Sequence, residues 1–165
     1  MVKRRSGVLP PALRAAGAVF VNLAAILMAL QLDEGRKVNV RGRHMPYRCP
    51  ANKLTIGYGR NLDDNGISES EALDLLTSDA IQANRDAAAL IPNWLGLDDV
   101  RQNVCANMAY QLGKPKLSEF HKFLAAVNEG RYEDAAYEMV MSSWYDQSGH
   151  RAIRLKHEML TGKVE

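Results

Sequence analysis

Leu32-Asp33-Glu34-Gly35 closes a long apolar run, and Leu54-Thr55-Ile56-Gly57-Tyr58-Gly59 follows it across a stretch rich in Val, Tyr, Gly and Pro. The first segment reads as the end of a helix, so it sets a carboxyl group at a helix terminus. The second reads as a strand running into a Gly-rich turn. From Arg36 to Gly59, Val, Tyr, Thr and Ile are punctuated by Gly42, Pro46, Pro50, Gly57 and Gly59, the pattern of a twisted hairpin or small meander. The frame is therefore a helix end facing a small sheet.

Downstream of that sheet the periodicity changes. Asp63-Asp64-Asn65-Gly66 is a turn signal, and Ser68-Glu69-Ser70-Glu71 is a capping box that opens a helix with Ala72, Leu75, Leu76, Ala80 and Ala83 on its apolar face, running to about Leu90. Pro92 and Gly96 break the chain. Asp98 then caps a helix through Val104, Met108 and Tyr110 to Leu112, ended by Gly113 and Pro115. Helical patterns follow at about 118–128, 132–141 and 149–160, with Trp144-Tyr145 as a separator. The class is α+β. It has a small N-terminal hairpin or meander lobe at about 36–66 and a larger all-helical lobe at about 90–162, joined by a long helix.

Upstream lies a basic head, Lys3-Arg4-Arg5, followed by the apolar run Ala15 to Leu30, interrupted by Asn22. Three readings are open for residues 1–31: a buried first helix of the fold, a weakly hydrophobic membrane signal-anchor that can later release, or a cleaved signal peptide. Residues 32–165 are expected to form one domain in any of them. Charge follows the same division. The formal net charge of +2 conceals +4 in the first 32 residues, leaving 17 basic against 19 acidic side chains in the rest. Nucleic-acid binding is therefore not expected, because the folded part has no basic excess with which to neutralise phosphates.

Two cysteines, Cys49 and Cys105, cannot build a disulfide framework, and one is expected in a loop and the other on a helix. His44, His121, His150 and His157 are scattered without metal-ligand spacing. Neither a metal nor a cofactor is expected.

A carboxyl group at a helix end facing a Gly-rich sheet suits glycoside hydrolysis, which needs a general acid for the leaving oxygen and a second group that activates water or attacks the sugar carbon. A general acid works when low-polarity walls favour its protonated form, and the apolar helix before Glu34 could supply them. The bland alternative is a solvated helix end at the unfavourable pole of the helix dipole.

Several further segments are informative: Pro46-Tyr47-Arg48-Cys49, Ala106-Asn107-Met108-Ala109-Tyr110-Gln111-Leu112-Gly113, Arg131-Tyr132-Glu133-Asp134-Ala135-Ala136, and Ser143-Trp144-Tyr145-Asp146-Gln147 with Arg151-Ala152-Ile153-Arg154. Together with Leu32-Asp33-Glu34-Gly35 and the Thr55-Ile56-Gly57 strand, their order resembles the phage-type lysozymes (endolysins) of glycoside hydrolase family 24. The resemblance spans about 32–162. It implies bacteriolytic hydrolysis of the β-1,4 bond between N-acetylmuramic acid and N-acetylglucosamine in peptidoglycan, as in phage-driven host-cell lysis. It further implies Glu34 as general acid and Thr55 as a holder of the attacking water. It puts Cys49 where the family usually has an Asp that positions or activates the nucleophile.

Cys49 is a departure from the pattern, and so is the long interval from Glu34, whose extra residues fall in Val38 to His44. A thiolate could orient water or attack the sugar carbon, whereas a neutral thiol accepts hydrogen bonds poorly. Asp63 or Asp64 are alternative partners for Glu34. Asn107 and Gln111, one helical turn apart, and Gln147 and Arg151 are candidate contacts to saccharide hydroxyls or peptide carboxylates. Trp94, Trp144 and Tyr145 read as core. Two other functions stay open on the same fold: a lytic transglycosylase, which needs only the Glu, and a catalytically inactive wall-binding or membrane-active relative. The implied partner is peptidoglycan, met by a monomer from the host cytoplasm or periplasm. Residues 1–31 would supply any transient association with the inner membrane.

Overall fold

The computed structural model describes residues 23–34 and 36–165, and the chain divides into two compact units, one ending at Ile67 and the other beginning at Ser68. Most of the basic and apolar segment read at 1–31 therefore lies outside the described residues. Its described end forms a helix, α1 (Leu23–Asp33), in which no residue is buried. The expectation of a buried first helix is not met there: Leu23, Ile26, Leu27, Met28, Leu30 and Leu32 are all exposed. Among the described residues no helix is long and apolar enough to cross a membrane.

The first unit continues as a three-stranded antiparallel meander of β1 (Tyr47–Arg48), β2 (Leu54–Ile56) and β3 (Arg60–Asn61), with β2 in the middle. Thr55 pairs with Tyr47 on one side and Asn61 on the other. That central place explains why Thr55, at 3% exposure, is the buried residue of this unit among those described. The β1–β2 connection is a turn whose chemistry is local. Pro50 supplies the fixed φ of a turn's second position, Asn52 adopts φ +59°, and Asn52 N–H donates to the Cys49 carbonyl at 2.8 Å.

The extra residues between Glu34 and Cys49 form a second, smaller hairpin. Val38 bridges His44, and the Asn39 carboxamide oxygen accepts from the backbone N–H groups of Arg41 (2.9 Å) and Arg43 (3.1 Å). An Asx turn thus absorbs the length within a loop. The expected turn at 63–66 is a single helical turn, α2 (Leu62–Asn65), capped by the Asn61 side chain.

The second unit is all-helical: α3 (Glu69–Ala88), α4 (Asp99–Leu117), α5 (His121–Asn128), α6 (Tyr132–Val140), α7 (Ser143–Ser148) and α8 (His150–Thr161), with a 3-10 turn at Trp94–Gly96. The capping box of Ser68 and Glu71 is present, and the Asp98 side chain caps α4. Gly113 takes φ +71° and breaks α4 ahead of Pro115, the stop expected at that point. Trp144-Tyr145 is not a separator but part of α7, because Ser142 offers its hydroxyl to the Tyr145 N–H as a cap.

The hydrophobic core belongs to this unit. It is built on Val104, Cys105 and Met108 of α4 with Phe123, Val127, Met139, Trp144, Leu155 and Met159 around them. From α3 only Ala83 and Ala87 are buried, so the expected face at Leu75, Leu76 and Ala80 is exposed. Arg101 ties down the end of α8. It donates to the carbonyls of Met159 (2.8 Å) and Leu160 (3.0 Å), pairs with Asp98, and lies 3.7 Å over the Tyr132 ring.

Candidate active site

Glu34 follows directly on α1, and its N–H still donates to the Leu30 carbonyl at 2.9 Å. Its side chain is exposed, so the apolar helix does not wall it in as expected. The wall it has is the backbone of Gly59, in the turn between β2 and β3. A Cβ added to Gly59 would stand 2.6 Å from Glu34 Oε2 and 3.0 Å from the carboxyl carbon. Only glycine leaves room for that approach, and Gly59 also sits at φ +83°, where a side chain is strained.

Cys49 lies at the opposite end of β2, half-buried at the mouth of the turn, where its N–H donates to the Lys53 carbonyl at 3.0 Å. Its thiol is held below the ordinary value of 9.0, chiefly by the backbone N–H of Lys53, with partial burial opposing and the Ala51 N–H and Thr55 hydroxyl assisting. Donors converging on sulfur favour the thiolate. Thr55 also donates to the Lys53 carbonyl at 3.0 Å, so its single hydrogen has two claimants, the carbonyl and the Cys49 sulfur. Thiol and hydroxyl are thus brought together.

Asp63 and Asp64 are committed elsewhere. Asp63 accepts from the Leu54 N–H (2.8 Å) and Arg48 Nη1 (3.0 Å), closing the end of the β1–β2 pair. Asp64 accepts from Lys53 Nζ (2.7 Å) and Asn61 Nδ2 (2.8 Å), and its carboxyl is held low first by Lys53 and then by Asn61. Their geometry is that of structural carboxylates.

In the helical unit, Asn107 and Arg151 meet in a pocket of about 240 Å³ among α3, α4 and α8, lined also by Leu76, Asn103, Ala106 and Tyr110. The Asn107 amide donates to the carbonyl (3.1 Å) and side chain (2.9 Å) of Asn103, which leaves its oxygen turned to other donors. Gln111 is drawn away from that pocket: its oxygen accepts from Trp144 Nε1 at 2.9 Å. Gln147 is exposed on α7 while Arg151 belongs to α8, and Gly149 at φ +52° separates them, so they do not share one continuous turn. Sequence reasoning overlooked Gly59, although a glycine after Thr-Ile-Gly-Tyr was a visible sign of close approach. Among the described residues no cluster of His, Cys, Asp and Glu could hold a metal ion.

The sequence profile of the phage lysozyme family matches residues 39–157, and the chain belongs to that family. It is a glycoside hydrolase of lysozyme type, acting on the cell wall. Glu34 lies just before the matched stretch, whereas Cys49, Thr55, Asn107, Gln111, Gln147 and Arg151 lie within it. Among known proteins it is similar to probable T4-type lysozyme 2 of Dictyostelium discoideum, with 27% identity over 82% of this chain and 94% of that one. It is also similar to the pre-baseplate central spike protein Gp5 of Enterobacteria phage T4, with 32% identity over 68% of this chain and 20% of that one. Probable T4-type lysozyme 1 of Dictyostelium discoideum is 32% identical over 59% of this chain and 58% of its own length.

Proposed function

We propose that the chain hydrolyses the β-1,4 bond between N-acetylmuramic acid and N-acetylglucosamine, with Glu34 as general acid and Cys49 and Thr55 preparing the water. One observation carries this reading. The Glu34 carboxyl rests against Gly59, on the same short strand-and-turn segment that carries Thr55 beside the Cys49 thiol. As the bond between C1 and the bridging oxygen breaks, Glu34 gives that oxygen its proton. Water oxygen bonds to C1, its proton passes to the Cys49 sulfur, and Thr55 orients it. The donors on Cys49 support the thiolate that this step needs.

Asn107 and Arg151 are the wall contacts in the helical unit, Arg151 suited to a peptide carboxylate and the Asn107 oxygen to a hydroxyl. Gln111 and Gln147 are assigned to saccharide hydroxyls through their remaining amide hydrogens. Mass spectrometry of released muropeptides tests the reaction. Reducing-end muramic acid is the expected product, and 1,6-anhydro ends as the main product would replace hydrolysis by transglycosylation.

The monomeric enzyme is assigned a transient stay at the inner membrane through residues 1–31. The basic head, the apolar run and the exposed apolar surface of α1 support it. Full-length protein found wholly in the soluble fraction would oppose it.

A further inference from the structure

The Gly59 wall stands on a turn that has little to hold it. Gly57 (φ +66°) and Gly59 (φ +83°) flank Tyr58, and a backbone with two glycines in the left-handed region has many other conformations open to it. The side chain between them is tied on two sides. The guanidinium of Arg36, two residues beyond Glu34, donates from Nη1 to the Tyr58 hydroxyl at 3.0 Å and lies 5.8 Å from the ring centre. From the small hairpin, the His44 imidazole meets the Tyr58 ring edge-on, with centres 5.2 Å apart and planes at 61°.

His44 Nδ1 is buried and has no hydrogen-bond partner among the described residues. A buried nitrogen without a partner disfavours this placement, so the ring is held by its packing on Tyr58 and by the Val38–His44 bridge behind it. The loop from Glu34 to β1 is thereby fastened to the Gly57–Gly59 turn at both of its ends.

We propose that Arg36 and His44, acting through Tyr58, are positioning residues that hold Gly59 against the Glu34 carboxyl, and that the small hairpin at 37–45 exists to present His44. This rests on Glu34 being the general acid. The clamp touches neither the sugar nor the reacting atoms, so it works on the acid's placement alone. Misplacing a reacting group by about 1 Å costs on the order of a hundredfold in rate.

The test uses the full chain on purified peptidoglycan, with kcat and KM measured separately. Tyr58→Leu should lower kcat by about ten- to a hundredfold with KM within twofold. Its melting temperature should barely change, since Tyr58 is 39% exposed. Tyr58→Phe, which keeps the ring on His44 and loses the hydroxyl, should recover part of that loss. Arg36→Ala combined with Tyr58→Phe should be no slower than Arg36→Ala alone, because the Tyr58 hydroxyl has already lost its donor. A rise in KM alone would make Tyr58 a sugar contact and overturn the proposal. Unchanged kcat in Tyr58→Leu, with Glu34→Gln inactive, would sink the clamp and spare the acid; an active Glu34→Gln would remove both.

Discussion

The carboxyl of Glu34 and the Cα of Gly59 are in such close approach that a methyl group on Gly59 would fall 2.6 Å from Oε2. Gly59→Ala therefore displaces the acid. Because the obstructing group is the end of a flexible side chain, the fold should survive, at a cost of about 1–2 kcal/mol for a non-glycine residue at φ +83°. Wall lysis should drop at least about tenfold, more than the stability loss explains. Turbidity clearance alongside thermal melting separates the two effects.

Cys49 should give the lysis rate its dependence on alkali. Its thiol lies below 9.0, with the Lys53 N–H as the main cause. If the thiolate takes the proton from water while Glu34 keeps its own, the pH–rate profile is bell-shaped and one of its limbs is set by the thiol. Thr55→Val removes one donor and should move that limb to higher pH, while Cys49→Asp should move it down to the carboxylate range and Cys49→Ser should abolish it. A pH–rate profile of the four proteins decides.

The two thiols should behave oppositely toward a thiol-specific reagent. Cys105 is fully buried in the core, where burial alone pushes it up to about 12. The exposed side of Cys49 reacts as a partly ionised thiol. Native protein should titrate one cysteine quickly and the second only on unfolding, read as absorbance of the released reagent.

Asp98 links acid to stability. Burial works to raise its carboxyl, but the Arg101 backbone N–H and guanidinium outweigh it and hold it below 3.8. Its folded value lies under the unfolded one, so the stabilisation is complete above about 3.8 and is lost as pH falls through the lower folded value. Asp98→Asn keeps the helix cap and loses the charge pair. It should cost about 0.5–1 kcal/mol at pH 7, given partial solvent screening, and progressively less as pH falls below about 3.8. Urea melts at pH 7 and through the acid range measure this.

Local chemistry was the legible part of this chain. The Ser68–Glu71 capping box, the Asp98 cap and the Gly113 stop each depend on groups within a few residues, so residue type and spacing suffice to place them. The pairing of Cys49 with Thr55 was likewise readable, since both flank one tight turn. Burial was not. The described part of the apolar run, Leu23–Asp33, has the composition of an internal helix, yet its residues are exposed, because hydrophobicity states a preference and not which surface meets it. The Gln111 oxygen accepts from Trp144 Nε1, a contact across 33 positions that no periodicity announces. The clamp on Tyr58 was hidden for the same reason: Arg36, His44 and Tyr58 come together only once the small hairpin folds back.

The most direct measurement is the lysis of purified cell walls by Glu34→Gln, with circular dichroism confirming its fold. Glutamine keeps the shape and the neighbour Gly59 but has no proton to give the bridging oxygen, so activity should fall by at least about a hundredfold while the helical signal and melting point stay unchanged. Near-normal clearance by that folded variant would contradict the assignment of Glu34 as the acid.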